Sequence, residues 1–155
     1  MSRPPCAVRH LVLQFVKMNR ARILALDYGK KHVGLACSDE LGIAVRPLDA
    51  LSNVSRRRLV DRLREIASGL RAERIVVGLP FNMDGTPGEA VREAEEFVQT
   101  LRERLDLPIA TVDERLSTVE AKEVCKSMSP RQRRKYRTVD SLAAALILKR
   151  YLDER

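Results

Sequence analysis

The chain has 155 residues, with 29 Lys and Arg against 21 Asp and Glu for a formal charge of +8, 45% hydrophobic and 4% aromatic content, and no Trp. That length suits one domain with a real core, and no apolar run approaches the ~20 residues that a membrane span needs. The basic balance favours a polyanionic partner, because Lys and Arg contacts to phosphate release condensed counterions. So few aromatics argue against a platform of stacked bases as the main binding mode.

Cys6, Cys37 and Cys125 are odd in number and lack CxxC spacing. This argues against a disulfide framework and a zinc site and fits a reducing cytoplasm. With only His10 and His32, histidine-based metal or triad chemistry has little material.

The first acidic residue is Asp27, so the opening stretch is purely basic in charge. Its apolar patch Leu11-Val12-Leu13 is broken by Gln14, a poor core for a secretory signal. Residues 1–20 are expected to be a poorly ordered N-terminal extension, with Met18 a plausible second start, and 21–155 a single domain. Residues 23–26 form a continuous apolar run, typical of a central strand covered on both faces. Residues 32–38 read as a second strand. A third at 43–45 is expected to end before Pro47, which cannot donate to a ladder. Three such close strands make an antiparallel meander.

Ser55 can cap a helix to about residue 70, with Leu59, Leu63, Ile66 and Leu70 at helical spacing and Gly69 weakening its last turn. Residues 74–79 read as another buried strand, followed by a loop containing the turn dipeptide Asp84-Gly85. Thr86-Pro87-Gly88-Glu89 has the form of a capped helix start, with Thr86 as N-cap and Glu89 closing a capping box. Residues 108–112 give a fifth strand. Ser117 and Glu120 offer a second capping box for a helix to about 128, residues 129–137 read as a basic linker, and Thr138 caps a final apolar helix. The order β-β-β-α-β-α-β-α-α predicts an α/β fold. Its crossovers are right-handed, and its ligands bind beyond the strand ends.

Three carboxylates fall where such a fold gathers them. Asp27 ends the first strand, Glu114 follows the fifth, and Asp140 opens the last helix. A hard divalent cation prefers carboxylate oxygen, and clustered acids on a basic protein point to metal ions acting on a phosphate backbone. Each acid also has a plain structural explanation. Asp27 is a turn former, Asp113 or Glu114 a salt-bridge partner of Arg115, and Asp140 a charge at a helix N-terminus worth ~0.3–1 kcal/mol. Arg115 could alternatively clasp a phosphate through its planar fork. The run at 131–137 holds five cations in seven residues and could position a strand without reading its sequence.

Four blocks, ALDYGKKHVGLACSD (25–39), IVVGLPFNMDG (75–85), TVDERLSTVEA (111–121) and VDSLAAALIL (139–148), occur in this order. Together they make the chain, from about 22 to 153, resemble the YqgF/RuvX family of pre-16S rRNA nucleases, also described as Holliday-junction-resolvase-like. The resemblance implies an RNase H-like domain over 21–155. Its five-stranded mixed sheet (three antiparallel strands, then two parallel) would be flanked by helices. It carries over Asp27, Glu114 and Asp140 as the acidic, metal-holding positions. Two departures stand out. His32 occupies a position where the family pattern leads to Arg. RNase H-like resolvases commonly place their second acid after the fourth strand, where this chain has Gly78-Leu79-Pro80-Phe81-Asn82; the equivalence of Glu114 therefore rests on convergence in space.

The expected activity is hydrolysis of phosphodiester bonds by two Mg²⁺ (or Mn²⁺) ions between the three carboxylates, ~3.5–4 Å apart. Lys30, Arg115, Arg133, Arg134, Lys135 and Arg137 would hold the phosphate backbone. The expected substrate is structured RNA, precursor 16S rRNA in ribosome biogenesis, with a pre-ribosomal particle as a partner, in the cytoplasm and without membrane contact. The same site could resolve branched DNA, for which paired cuts require a homodimer rather than a monomer. A noncatalytic nucleic-acid-binding assembly factor is a third reading. An ATPase of the actin and sugar-kinase type is a fourth, disfavoured because such proteins close two large domains on a nucleotide.

Overall fold

The computed structural model describes residues 21–115, 121–123, 126, 129–135 and 139–155. The N-terminal extension, the Ser117/Glu120 capping box, the Thr138 cap and Arg137 lie outside the described residues. In chain order the elements are β1 (Arg22–Tyr28), β2 (His32–Ser38), β3 (Val45–Ser52), α1 (Arg56–Leu70), β4 (Ala72–Leu79), α2 (Glu89–Arg104), β5 (Ile109–Asp113), α3 (Pro130–Lys135) and α4 (Val139–Asp153).

The sheet runs β3-β2-β1-β4-β5. The first three strands are antiparallel neighbours, and β4 and β5 join parallel to β1. This is the expected mixed sheet. Side-chain alternation along the central strands divides the core in two. One face of the sheet, with Leu24, Leu26, Val33, Leu35, Ile75 and Val77, packs on Leu59, Val60 and Leu63 of α1 and on Phe97, Val98 and Leu101 of α2. The other, with Ile23, Ala25, Ala36, Val76 and Val112, packs on Ala144, Ala145, Ile147 and Leu148 of α4. Because both faces are covered, β1 can be continuously apolar over 23–26 and β4 over 75–79. Cys37 is buried in β2, as its apolar surroundings suggest.

Three sequence expectations are corrected. β3 does not stop before Pro47 but runs through it, with Pro47 opposite Ala36. The strand is at the sheet edge, where the missing N–H need not break a ladder. The N-cap of α2 is Gly88, with no side-chain cap bond. Thr86 instead bonds to Asp84, its N–H and hydroxyl both donating to Oδ1, and accepts from Asn82. These bonds tie Thr86 into the preceding turn, away from the helix end. Part of the supposed basic linker is helical, as α3. The Ser55 cap is present, its hydroxyl accepting from the Arg58 N–H at 3.5 Å.

Candidate active site

The site is built on one transverse row of the sheet. Asp27, at the end of β1, sits opposite Gly34 of β2 and Gly78 of β4, and Gly78 opposite Val112 of β5. Residues in such a row share a face of the sheet, here the face covered by α4. The two glycines leave Asp27 flanked by empty side-chain positions, and each space is filled from elsewhere. A Cβ on Gly34 would lie 2.0 Å from the carbonyl oxygen of Asp140, so α4 begins directly against the backbone of β2. The register between β2 and β3 also shifts between Val33 and Leu35, at this same glycine. A Cβ on Gly78 would lie 2.5 Å from Glu114 Oε2 and 2.5 Å from Ile147 Cδ1.

Glu114 thus leaves β5 and folds its carboxyl back over the end of β4, the strand that lacks an acid of its own. Two backbone bonds hold it there. Its N–H donates to the Leu79 carbonyl at 3.0 Å. The carbonyl before it, that of Asp113, accepts from Arg150 Nη1 of α4 at 2.7 Å. Ile147, one turn earlier on α4, reaches into the same space over Gly78.

Asp27 and Glu114 are both buried, at 9% and 5% exposure, and their carboxyls hydrogen-bond each other. Burial, then the charge of Asp27, then the bond to it push Glu114 up to about 9. Burial also raises Asp27, to about 6, with the bond from Glu114 pulling down and the charge of Asp140 pushing up. At neutral pH the pair therefore retains a proton between its two carboxyls, because two like charges in one dry space repel. Glu114 Oε2 is buried with no hydrogen-bond partner. A lone pair stranded in this way is costly unless something further binds it.

The structure therefore brings Asp27 and Glu114 into contact and sets Asp140 within electrostatic reach of Asp27. Among the described residues no three His, Cys, Asp or Glu side chains are gathered into a ready metal-binding group. The donor chemistry nonetheless fits a hard divalent cation: oxygen ligands only, mutually repelling carboxyls and an unpartnered oxygen. Asp113 and Asp84 do not join the pair. Asp113 is bound by Arg115, through Nε at 2.9 Å and the backbone N–H at 3.0 Å, and Asp84 by Thr86.

The expected phosphate contacts are distributed unevenly. Lys30 is paired across to α2, 3.4 Å from Glu93 and 3.8 Å from Glu89. Arg115 is occupied by Asp113 and lies near Gly85. Arg133 and Arg134 are exposed on α3, Arg133 donating to the Lys126 carbonyl at 3.3 Å; Lys135 closes the same helix. His32, the departure from the family pattern, is exposed and accepts from the Gly29 N–H through its carbonyl. Sequence reading missed Gly78, Ile147 and Arg150. Glycine inside an apolar strand is a general sign of close approach, and Gly78 after Val76-Val77 carries it; nothing in the sequence points to Arg150.

The family model that describes RuvX as a Holliday junction resolvase matches residues 21–154. The chain belongs to the RuvX family. It is 42% identical to a Lachnospira eligens protein over 137 residues, covering 86% of this chain and 98% of the relative. It is 39% identical to one from Desulforamulus reducens over 132 residues, covering 85% and 96%. Both carry the name "Putative pre-16S rRNA nuclease". RuvX proteins are nucleases, hydrolases of phosphodiester bonds. The Thermus thermophilus RuvC structure in complex with Holliday junction substrate superimposes with a TM-score of 0.54 at 17% identity, over 86% of this chain and 96% of that one. The fowlpox virus Holliday junction resolvase does so with 0.54 at 13% identity, over 86% and 99%. At such identities the likeness concerns the fold, which is RNase H-like as expected.

Proposed function

We propose that this RuvX-family chain is a metal-dependent endonuclease acting on structured nucleic acid, with precursor 16S rRNA in ribosome biogenesis as its substrate. The observation that carries this reading is the buried Asp27–Glu114 pair, set in the glycine row at the strand ends and faced by the start of α4. The names of relatives at 39–42% identity favour RNA over branched DNA as substrate.

Mg²⁺ or Mn²⁺, held by Asp27, Glu114 and Asp140, would supply a water acidified toward neutral pH and a counter-charge for the phosphate oxygens. The rest follows from the side chains. Burial keeps bulk water from the two carboxyls, so charge placed there acts in a low effective dielectric. Glu114 offers the free Oε2 toward Gly78. Arg133 and Arg134, with the rest of the 131–137 run, supply sequence-independent phosphate contacts at the approach to α4.

Asp27→Asn keeps the side chain's size and removes its charge. We expect it to abolish divalent-metal-dependent cleavage of precursor 16S rRNA while its circular dichroism stays native and its melting stays cooperative. Full cleavage by this variant would sink the mechanism. Running the same preparations on a four-way DNA junction, with the oligomer size measured, separates the two substrates.

A further inference from the structure

β1 and β3 are both antiparallel to β2, so they run the same way and end at one edge of the sheet. Asp27 lies at that edge, one residue before the end of β1, and the β1–β2 turn follows it. Asn53, directly after β3, ties that turn to the head of α1. Its N–H donates to the Lys31 carbonyl and its Nδ2 to the Gly29 carbonyl, each at 2.8 Å. The result is one braced corner that carries Lys30, Lys31, Arg56, Arg57 and Arg58. Its inner cations are neutralised by a stripe of acids on α2. Lys30 lies 3.4 Å from Glu93 and 3.8 Å from Glu89, and Arg56 lies 4.0 Å from Glu96. The outer three, Lys31, Arg57 and Arg58, are exposed, and among the described residues none of them has an ion pair. Arg56, Arg57 and Arg58 are also the first three residues of α1, whose first turn has no acid. Cations there oppose the positive end of the helix dipole, at ~0.3–1 kcal/mol for each charge. Helical side chains lean toward the N-terminus of their helix, which turns these arginines to the edge where Asp27 lies. An anion at the corner relieves the repulsion.

We propose that this corner is a docking surface for the phosphate backbone of a double-helical nucleic-acid segment, with Lys31, Arg57 and Arg58 as its contacts. A paired segment is favoured over an open strand by the chemistry of the corner. Open strands are gripped by aromatic rings that stack on their bases. Tyr28, next to the turn, is instead half-buried and stacked on Phe97, with ring centroids 4.4 Å apart. Long cationic side chains without a stacking ring suit a helix that turns its bases inward and its phosphates outward. The corner also complements the cations already described. α1 covers one face of the sheet, whereas the 131–137 run leads into α4 on the other. A duplex arm on the corner thus reaches the sheet edge at which Asp27 lies. The proposal rests on the nuclease reading for the bond that is cut there, but docking is measured without cleavage.

The test is fluorescence anisotropy of an RNA duplex of about 16 base pairs with the full chain, in EDTA, between roughly 50 and 200 mM KCl. The corner variant is Lys31→Gln/Arg57→Gln/Arg58→Gln. A control, Arg71→Gln/Arg104→Gln/Lys149→Gln, removes three charges from other exposed positions. Arg71 and Arg104 stand at the C-terminal ends of α1 and α2, and Lys149 in the second half of α4, all away from the edge with Asp27. Each phosphate contact on a double helix contributes ~0.9 to the slope of log affinity against log salt. We expect the corner variant to lose about 2 or more from that slope and the control to keep it. The charge-preserving variant Lys31→Arg/Arg57→Lys/Arg58→Lys should also keep it. The corner variant should melt no lower than the wild type, since it removes like charges from the positive end of α1. Equal slopes for the corner variant and the control, or no duplex binding by the wild type, would overturn the docking surface. The two readings fail separately. A lost slope in a protein that cleaves nothing keeps the surface and removes the nuclease. An unchanged slope in a protein whose cleavage is lost in Asp27→Asn removes the surface alone.

Discussion

The carboxyl of Glu114 lies over Gly78: a Cβ there would come within 2.5 Å of Oε2. An acid carried by β5 is thereby delivered to the end of β4, next to Asp27, and the absence of a side chain at residue 78 is a condition of the site.

Gly78→Ala should consequently damage activity more than stability. The added methyl meets two side-chain tips, Glu114 Oε2 and Ile147 Cδ1, which can yield at a cost of ~1–3 kcal/mol for overpacking. Displacing the carboxyl by about 1 Å is enough for a loss on the order of 10²-fold. Cleavage rates beside a melting curve check this. A variant with wild-type activity would show that Glu114 does not act from over Gly78.

Gly34→Ala should behave differently. There the new methyl meets backbone, the Asp140 carbonyl at 2.0 Å, and a backbone cannot rotate aside. Either α4 shifts, taking Asp140 with it, or the domain loses several kcal/mol, on the order of 3 or more, as for other severe core clashes. Chemical denaturation of Gly34→Ala and Gly78→Ala side by side should rank the former as less stable.

Stability should fall as the solution is made alkaline. Glu114 rises from 4.5 to about 9 and Asp27 from 3.8 to about 6 on folding. Below pH ~4 both states hold these protons and the native fold has its full stability. Between ~4.5 and ~9 the unfolded chain has released protons that the native pair keeps, so the unfolding free energy declines with pH. Glu114→Gln removes most of that decline. Its melting temperature at pH 8 should exceed the wild type's by several degrees, on the scale of ~2–4 °C per kcal/mol for a domain of roughly this size, with little difference at pH 4. Equal pH slopes for the two proteins would contradict the buried, protonated Glu114.

Divalent cations should reverse that penalty. If Mg²⁺ or Mn²⁺ is held by the carboxyls, adding it raises the wild-type melting temperature, more at pH 8 than at pH 5, because the ligands must lose their protons. The rise should be absent in Asp27→Asn. A metal-induced shift of equal size in that variant would place the ion elsewhere.

Arg150→Met removes the donor to the Asp113 carbonyl while keeping much of the side chain's apolar bulk. Glu114 is then held by one fewer contact, so kcat should drop about tenfold with KM little changed. Arg150→Lys, which can still donate, should recover part of it. A fall confined to KM would mean that Arg150 touches substrate and leaves Glu114 unmoved.

Much of the fold was open to sequence reading because its cause is local. Continuous apolar runs at 23–26 and 75–79 required strands covered on both faces, and that is where β1 and β4 lie. Ser55 named its helix start correctly. Thr86 did not, since its hydroxyl had a competing partner in Asp84 that no capping pattern reveals. Pro47 misled because being tolerated in a strand depends on which neighbours the strand has, and β3 turned out to be an edge.

The sequence by itself determined the acids, the apolar periods and hence the ordered strands that carry Asp27 and Glu114 to one edge of a sheet. The tertiary structure alone decided which carboxyls touch. That outcome depends on Gly34 and Gly78 standing level with Asp27 across three strands, and on α4 lying close enough to fill the space they leave. Register and the approach of a helix arise from packing between segments distant in the chain, and spacing along one segment does not encode them.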